Sequence, residues 1–343
     1  MKLYNRISKS FPAFFVVIVV LGSCVCSCSA KKKNSEESLQ LQKVADVPLS
    51  GGNSRFDYQS IDPITHCLYI AHLGADRVTV FDLQTQKVIT DVLHIARPHG
   101  LIAVPELHRV YVSATGDDQV VVIDEASLEV VKRIPVGHYP DGLAFDPVTK
   151  KIFVSDESGR TVSVINTETN EFVTDIAMGG DVGNTQYDPV SKHIFSAVQT
   201  RDELAEIDPT ADTIIARYKL PGCKHPHGFF IDPQTHYALI TGEGNDKMVV
   251  FDLNSKTIIS NASVGGDPDV LAFDSTLHRL YVSAESGVIS IFTVEKDSVK
   301  KANVGFLAKA AHSVSVDENT HRVYFPLEDI DGSPVLRIMQ PLH

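Results

Sequence analysis

The chain has no tryptophan in 343 residues, which excludes a tryptophan-built platform for stacking sugars. It has no G-x-S-x-G elbow, no phosphate-cradling glycine loop, no H-E-x-x-H and no C-x-x-C-H haem site. Those absences remove the enzyme classes that carry short local signatures. They leave the enzymes whose sites are assembled from distant segments. Helical patterning is also missing: after Leu21 no stretch reads as helix for more than a turn or two. Basic charge is scarce, with 31 Lys and Arg against 43 Asp and Glu and a net charge of −12. Residues 1–30 hold Lys2, Arg6 and Lys9 and no acidic group, so the remainder carries −15. A surface of that sign repels phosphates and offers no basic stripe, so nucleic acid is excluded as the main partner.

What the chain has is a repeat. Gly137 to Ile176 reads GHYPDGLAFDPVTKKIFVSDESGRTVSVINTETNEFVTDI. Four alternating apolar runs sit in it: Leu143–Phe145, Ile152–Ser155, Val162–Ile165 and Phe172–Ile176. Asp146-Pro147, Ser158-Gly159 and Asn166 to Asn170 punctuate them, the signature of strands joined by hairpins. The first of these turns recurs at Asp62, Val104, Asp146, Asp188, Asp232, Asp274 and Asp317, in steps of 42, 42, 42, 44, 42 and 43. Seven positions later come Tyr69, Tyr111, Phe153, Phe195, Leu239, Tyr281 and Tyr324. Four strands per period in the forties predict an all-β fold, a seven-bladed β-propeller of four-stranded antiparallel blades. The seventh unit ends at Gln340 after three strands. Leu41–Val47 matches the fourth strand of another unit, Glu129–Ile134, and is expected to complete the last blade and close the ring. An open sandwich would show no regular period.

YVSA at Tyr111–Ala114, FVSD at Phe153–Asp156 and YVSA at Tyr281–Ala284, with VID and IPVGxxPxG downstream, resemble the YVTN-repeat (YncE-like) seven-bladed propellers over about residues 41–340. The resemblance implies the fold. It leaves the activity among binding proteins, seven-bladed lactonases and lyases, and electron-transfer enzymes.

The start of the chain has a different character. Its apolar run, Phe11–Leu21, is too short for a comfortable membrane span. Leu21-Gly22-Ser23-Cys24 resembles a bacterial lipobox. The expected organisation is a signal peptide over 1–23, a lipidated Cys24 with a polar tether over 24–38, and the propeller over 39–343. Secretion with cleavage after Ala30 ranks second and a transmembrane anchor third. Val25 in place of Asp after the cysteine resembles lipoproteins sent to the outer membrane. The protein is thus placed in the cell envelope, a monomer touching membrane through its lipid anchor alone. Of five cysteines, Cys24, Cys26 and Cys28 cluster at the processing site. Cys67 and Cys223 fall in distant blades on opposite faces, so no disulfide is expected.

In a propeller the start of each first strand and the end of each second strand meet at one channel mouth. Five residues before the repeating turn stand Asp57, His99, Asp141, Gly183, His227, Asp269 and His312. Around the ring imidazole alternates with carboxylate except at Gly183. Eleven residues after the turn stand Leu73, Thr115, Glu157, Gln199, Glu243, Glu285 and Glu328. His72, Asp181, His225 and Asp267 add to the same mouth. This set is read as a site for a small molecule or a protein partner. His99, His227, His312, Asp57 and Asp269 are the candidate ligands for a divalent metal: zinc, iron, manganese or calcium. The alternative is a metal-assisted hydrolase or lyase of the lactonase kind at the same mouth. Cys223-x-His225-x-His227 gathers three ligand types but lacks the second half of a zinc motif. The competing structural reading is that neighbouring His and Asp simply satisfy one another, and that the Pro-x-Gly turn favours short polar residues. A further column, His66, His108, Lys150, Lys192, His236, His278 and His321, lies at the opposite face in turns that favour left-handed backbone. Asp82, Asp124, Asp208 and Asp252 are read as turn caps.

Overall fold

The computed structural model describes residues 39–342. Among them are seven four-stranded antiparallel sheets. In the third blade the strands are Pro140–Asp146, Lys151–Asp156, Thr161–Asn166 and Glu171–Ala177, ordered from channel to rim. Each apolar run of the sequence lies inside the strand expected from it. The seventh blade joins Leu41–Pro48 to the three strands of the C-terminus, with Leu41 opposite Pro341 and Pro48 opposite Val335. Arg337 clamps this seam by donating two hydrogen bonds of 2.8 Å to Asp46. Inner strands of neighbouring blades pack side by side around the ring, including Gln59–Asp62 against Ser315–Asp317.

The repeat letters have distinct physical duties. Tyr69, Tyr111, Phe153, Phe195, Leu239, Tyr281 and Tyr324 are fully buried between blades, where large rings supply the apolar area that holds sheet to sheet. The turn aspartates accept backbone N–H groups two and three residues on: Asp146 from Val148 at 2.8 Å and from Thr149 at 3.2 Å, Asp188 from Val190 and Ser191 at 3.0 Å. The residues that end these turns all have positive φ, from 51° at His108 to 62° at Lys192. The histidines of that column also tie blades together. His236 reaches Asp188 at 2.9 Å and His321 reaches Asp274 at 2.7 Å. Asp82, Asp124, Asp208 and Asp252 cap the outer hairpins as expected.

The outermost strands share one device. Six carry a β-bulge whose extra residue is an exposed Val or Ile: Val44, Ile89, Val131, Val173, Ile215 and Ile259. A bulge twists an edge away from the flat ribbon that another chain could extend. Cys67 and Cys223 are both free thiols.

A candidate ligand site at the channel mouth

The Pro-x-Gly segments, expected as turns, are the first residues of the inner strands, and a second bulge falls there. In the third blade Pro140 pairs with Asp156 and Leu143 with Val154, so Asp141 and Gly142 together oppose Ser155. The same slip occurs at His99, His227 and Asp269. It re-aims the residue between Pro and the next position, which is how a bulge places a side chain at a site. The glycine lets the neighbouring blade approach. A Cβ on Gly100 would lie 2.0 Å from the Asp141 carbonyl oxygen, and one on Gly228 would lie 1.8 Å from that of Asp269. The Ser of YVSA holds the same region: Ser113 donates to the Asp141 carbonyl at 2.6 Å, and Ser155 to that of Gly142 at 3.1 Å.

The result is a cavity of about 200 Å³ at the mouth, and it is acidic. Asp57, Asp141 and Asp269 of the first ring line it with His99 and His227, and Glu157, Glu243 and Glu285 of the second column join them. Asp267 lines it too. Glu328 does not: its strand, Arg322–Ile330, runs on into a long hairpin with Ser333–Pro341, and Glu328 lies outside the cavity lining. His312 sits behind the wall. Its Nε2 lies 2.9 Å from the Phe56 carbonyl and its Nδ1 3.0 Å from that of Ala310. His72 stacks on Phe56 with ring centres 3.9 Å apart and bonds to Ser54, and Asp181 is taken by Arg160 at 2.7 Å. Cys223 is buried in an apolar cluster and His225 turns to Glu243 at 3.5 Å, so the Cys-x-His-x-His string does not converge.

Arg55, Tyr58, Tyr139 and Gln199, none of them a metal-ligand type, line the cavity as well. Arg55 and Tyr139 stand in the column two residues before the first ring, beside Asp181, His225 and Asp267. Gln199 stands in the glutamate column. Tyr58 marks the floor, since below it the channel widens into a second, less acidic chamber of about 380 Å³ lined by Phe145, Phe230 and Phe273.

His227 is the hub. Its Nε2 lies 3.6 Å from Asp141 and from Asp269 and 3.3 Å from the Tyr58 hydroxyl; its Nδ1 lies 2.6 Å from the Gln199 amide and 3.7 Å from Glu243. Burial alone would strip its proton, but Glu243, Asp141 and Asp269 outweigh that and push its pKa up to about 10. Burial raises the carboxyls of Asp57, Asp141, Asp269 and Glu157 above the usual range. Arg55 reaches Glu285, Asp269 at 3.5 Å and Asp57 at 3.8 Å. His99 behaves oppositely. Burial lowers it to about 4, so it is a neutral imidazole whose Nδ1–H donates to the Arg97 carbonyl at 3.2 Å. Its Nε2 lone pair faces the Tyr139 hydroxyl at 3.4 Å and Asp57 at 3.8 Å. Two carboxylate oxygens, Asp141 Oδ1 and Asp269 Oδ1, are buried in this wall with no hydrogen-bond partner.

Among the described residues, two triads bring possible ligand atoms within 4.8 Å: Asp57 with Asp269 and His312, and His227 with Glu243 and Asp269. His99 joins neither. A metal needs lone pairs. Both nitrogens of His312 lie against carbonyl oxygens, and the raised pKa of His227 favours its protonated ring, so each triad offers carboxylate oxygens first.

A search of curated proteins finds no match to this chain. Among solved structures, hydrazine synthase from Kuenenia stuttgartiensis is similar in fold, with 17% identity and a TM-score of 0.71 over 85% of this chain and 96% of that one. A family model described as the YNCE-like β-propeller matches residues 97–324. With seven closed blades and two thirds of the chain matched, the protein belongs to the YNCE-like β-propeller family.

Proposed function

We propose that this protein is an envelope lipoprotein whose propeller binds a small ligand in the acidic cavity at the channel mouth. The observation that carries this is a pair of buried oxygens that accept no hydrogen bond, Asp141 Oδ1 and Asp269 Oδ1, the latter 3.6 Å from His227. Buried acceptors without donors are costly, and folds keep them where something else supplies the donor. A rigid ring of blades then presents the site without local strand motifs. Thermal-shift screening of the full-length protein in detergent against small metabolites tests it. At least one compound should raise the melting temperature of the wild type and fail on Asp141→Asn and Asp269→Asn. A screen in which no compound separates these three proteins would refute the reading.

The anchor rests on Leu21-Gly22-Ser23-Cys24, which lies outside the described residues. Cells fed a labelled fatty acid should label the wild type, and Cys24→Ala should lose both the label and membrane fractionation. Retention of both would point to another anchor.

One observation favours a second reading, catalysis. His99 is a neutral imidazole with its lone pair in the cavity beside the raised carboxyl of Asp57, a base and an acid within one site. Hydrolysis on a lactone panel, lost in His99→Ala, with stoichiometric zinc, iron, manganese or calcium by elemental analysis, would establish a metal-assisted hydrolase in place of a binding protein.

A further inference from the structure

We propose that the ligand of this mouth is a small organic cation, a primary ammonium or guanidinium with hydrogen-bond donors, and not a bare divalent metal. The inference rests on the binding reading and names the chemical class of its ligand. Asp141 and Asp269 are 3% and 6% exposed, line the cavity, and each holds one oxygen that accepts no hydrogen bond. The acceptor supply exceeds the donor supply all round the wall. Seven carboxyl groups, Asp57, Asp141, Glu157, Glu243, Asp267, Asp269 and Glu285, face the Arg55 guanidinium and the His227 ring.

The spacing favours a donor-bearing cation over a metal. His227 lies 3.6 Å from Asp141 and 3.6 Å from Asp269, too long for hydrogen bonds, and the two aspartates share no metal-sized triad. The imidazole therefore leaves the demand of both carboxyls for a close N–H donor unmet. A metal would draw its ligands to about 2.0–2.6 Å, and Asp141 stands in neither triad of possible ligand atoms. The chain also supplies a working example of the chemistry. Arg55 extends into the ring and meets Asp57, Asp269 and Glu285 at once, the use of a planar cation that carboxylates favour. That occupies the side of blades one and six and leaves Asp141 and Glu157 of blade three for a second cation. Tyr58 and Tyr139 bring phenol rings to the same wall, which suits a weakly hydrated organic cation. A volume of about 200 Å³ equals on the order of six waters, enough for one short amine.

Calorimetry on the full-length protein in detergent tests this with agmatine, ethanolamine and 1,4-diaminobutane. Neutral controls are urea and 1,4-butanediol, and the metal controls are zinc, manganese and calcium. At least one organic cation should bind saturably at about pH 8 while the neutral controls stay silent. Its affinity should fall at least tenfold in Asp141→Asn and in Glu157→Gln, the latter a rim change that spares the buried ring. Binding should release protons and weaken toward about pH 5, as the ring carboxyls regain their own protons. Binding by metals alone, or by a neutral compound alone, overturns the cation assignment while leaving a ligand site at the mouth. Silence from every compound, with variants like the wild type, overturns both.

Discussion

His227 is one imidazole among four carboxyl groups, and the cost of that arrangement is pH-dependent. Burial holds the Asp141 carboxyl well above its ordinary value of 3.8. A raised acid contributes stability that is complete below the unfolded pKa and is lost as pH climbs through the folded value. Asp141→Asn keeps the shape and removes that loss. Its stability relative to wild type should therefore increase from about pH 5 to about pH 8, by roughly 2 kcal/mol, the scale of a buried polar group left without compensation. Melting curves at the two pH values check this; a difference that ignores pH would contradict it. At this scale the sequence was only half legible. The column spacing brought Asp57, His99, Asp141, His227 and Asp269 to one mouth. It did not show that His312 spends both nitrogens on carbonyls, because that depends on a rotamer. It missed Arg55 and Tyr139 because the column was read for ligand types alone.

Among elements, the bulged inner strand matters most. Its Pro-x-Gly letters looked like a turn because the same residues serve turns. The bulge could not be read, since it is defined by two residues opposing one across a partner strand. Once seen, it explains the glycine. Gly228→Ala would drive a Cβ to 1.8 Å from the backbone oxygen of Asp269, which cannot swing away. Gly244→Ala meets nothing closer than the Lys224 Cβ at 3.2 Å. The first change should cost about 3 kcal/mol and the second under about 1 kcal/mol. Denaturant titration of both decides it, and equal losses would show that the close approach between blades is unimportant. The strands themselves were legible almost to the residue, since period-two alternation between strong turn signals leaves little freedom.

For the whole molecule, closure does the work of placement. Leu41–Pro48 covers the edge of Ser333–Pro341 and buries Leu41. A protein lacking residues 1–48 should lose roughly 10 °C or more in melting temperature and self-associate through the uncovered edge. An unchanged melting temperature would mean the seam is decorative. Closure was legible because a count of strands left one over at the start and one missing at the end. The charge balance of the mouth was not, since it depends on how the blades meet there.

The proposed cation site needs a mouth whose excess acid holds His227 charged. Nitrogen NMR of the labelled imidazole, followed from about pH 6 to pH 9 with and without agmatine, tests it most directly. The expected spectrum is a doubly protonated ring across that range, in keeping with a pKa near 10, with a shift when agmatine is added. A ring that titrates near its ordinary 6.5 and ignores agmatine would contradict the account.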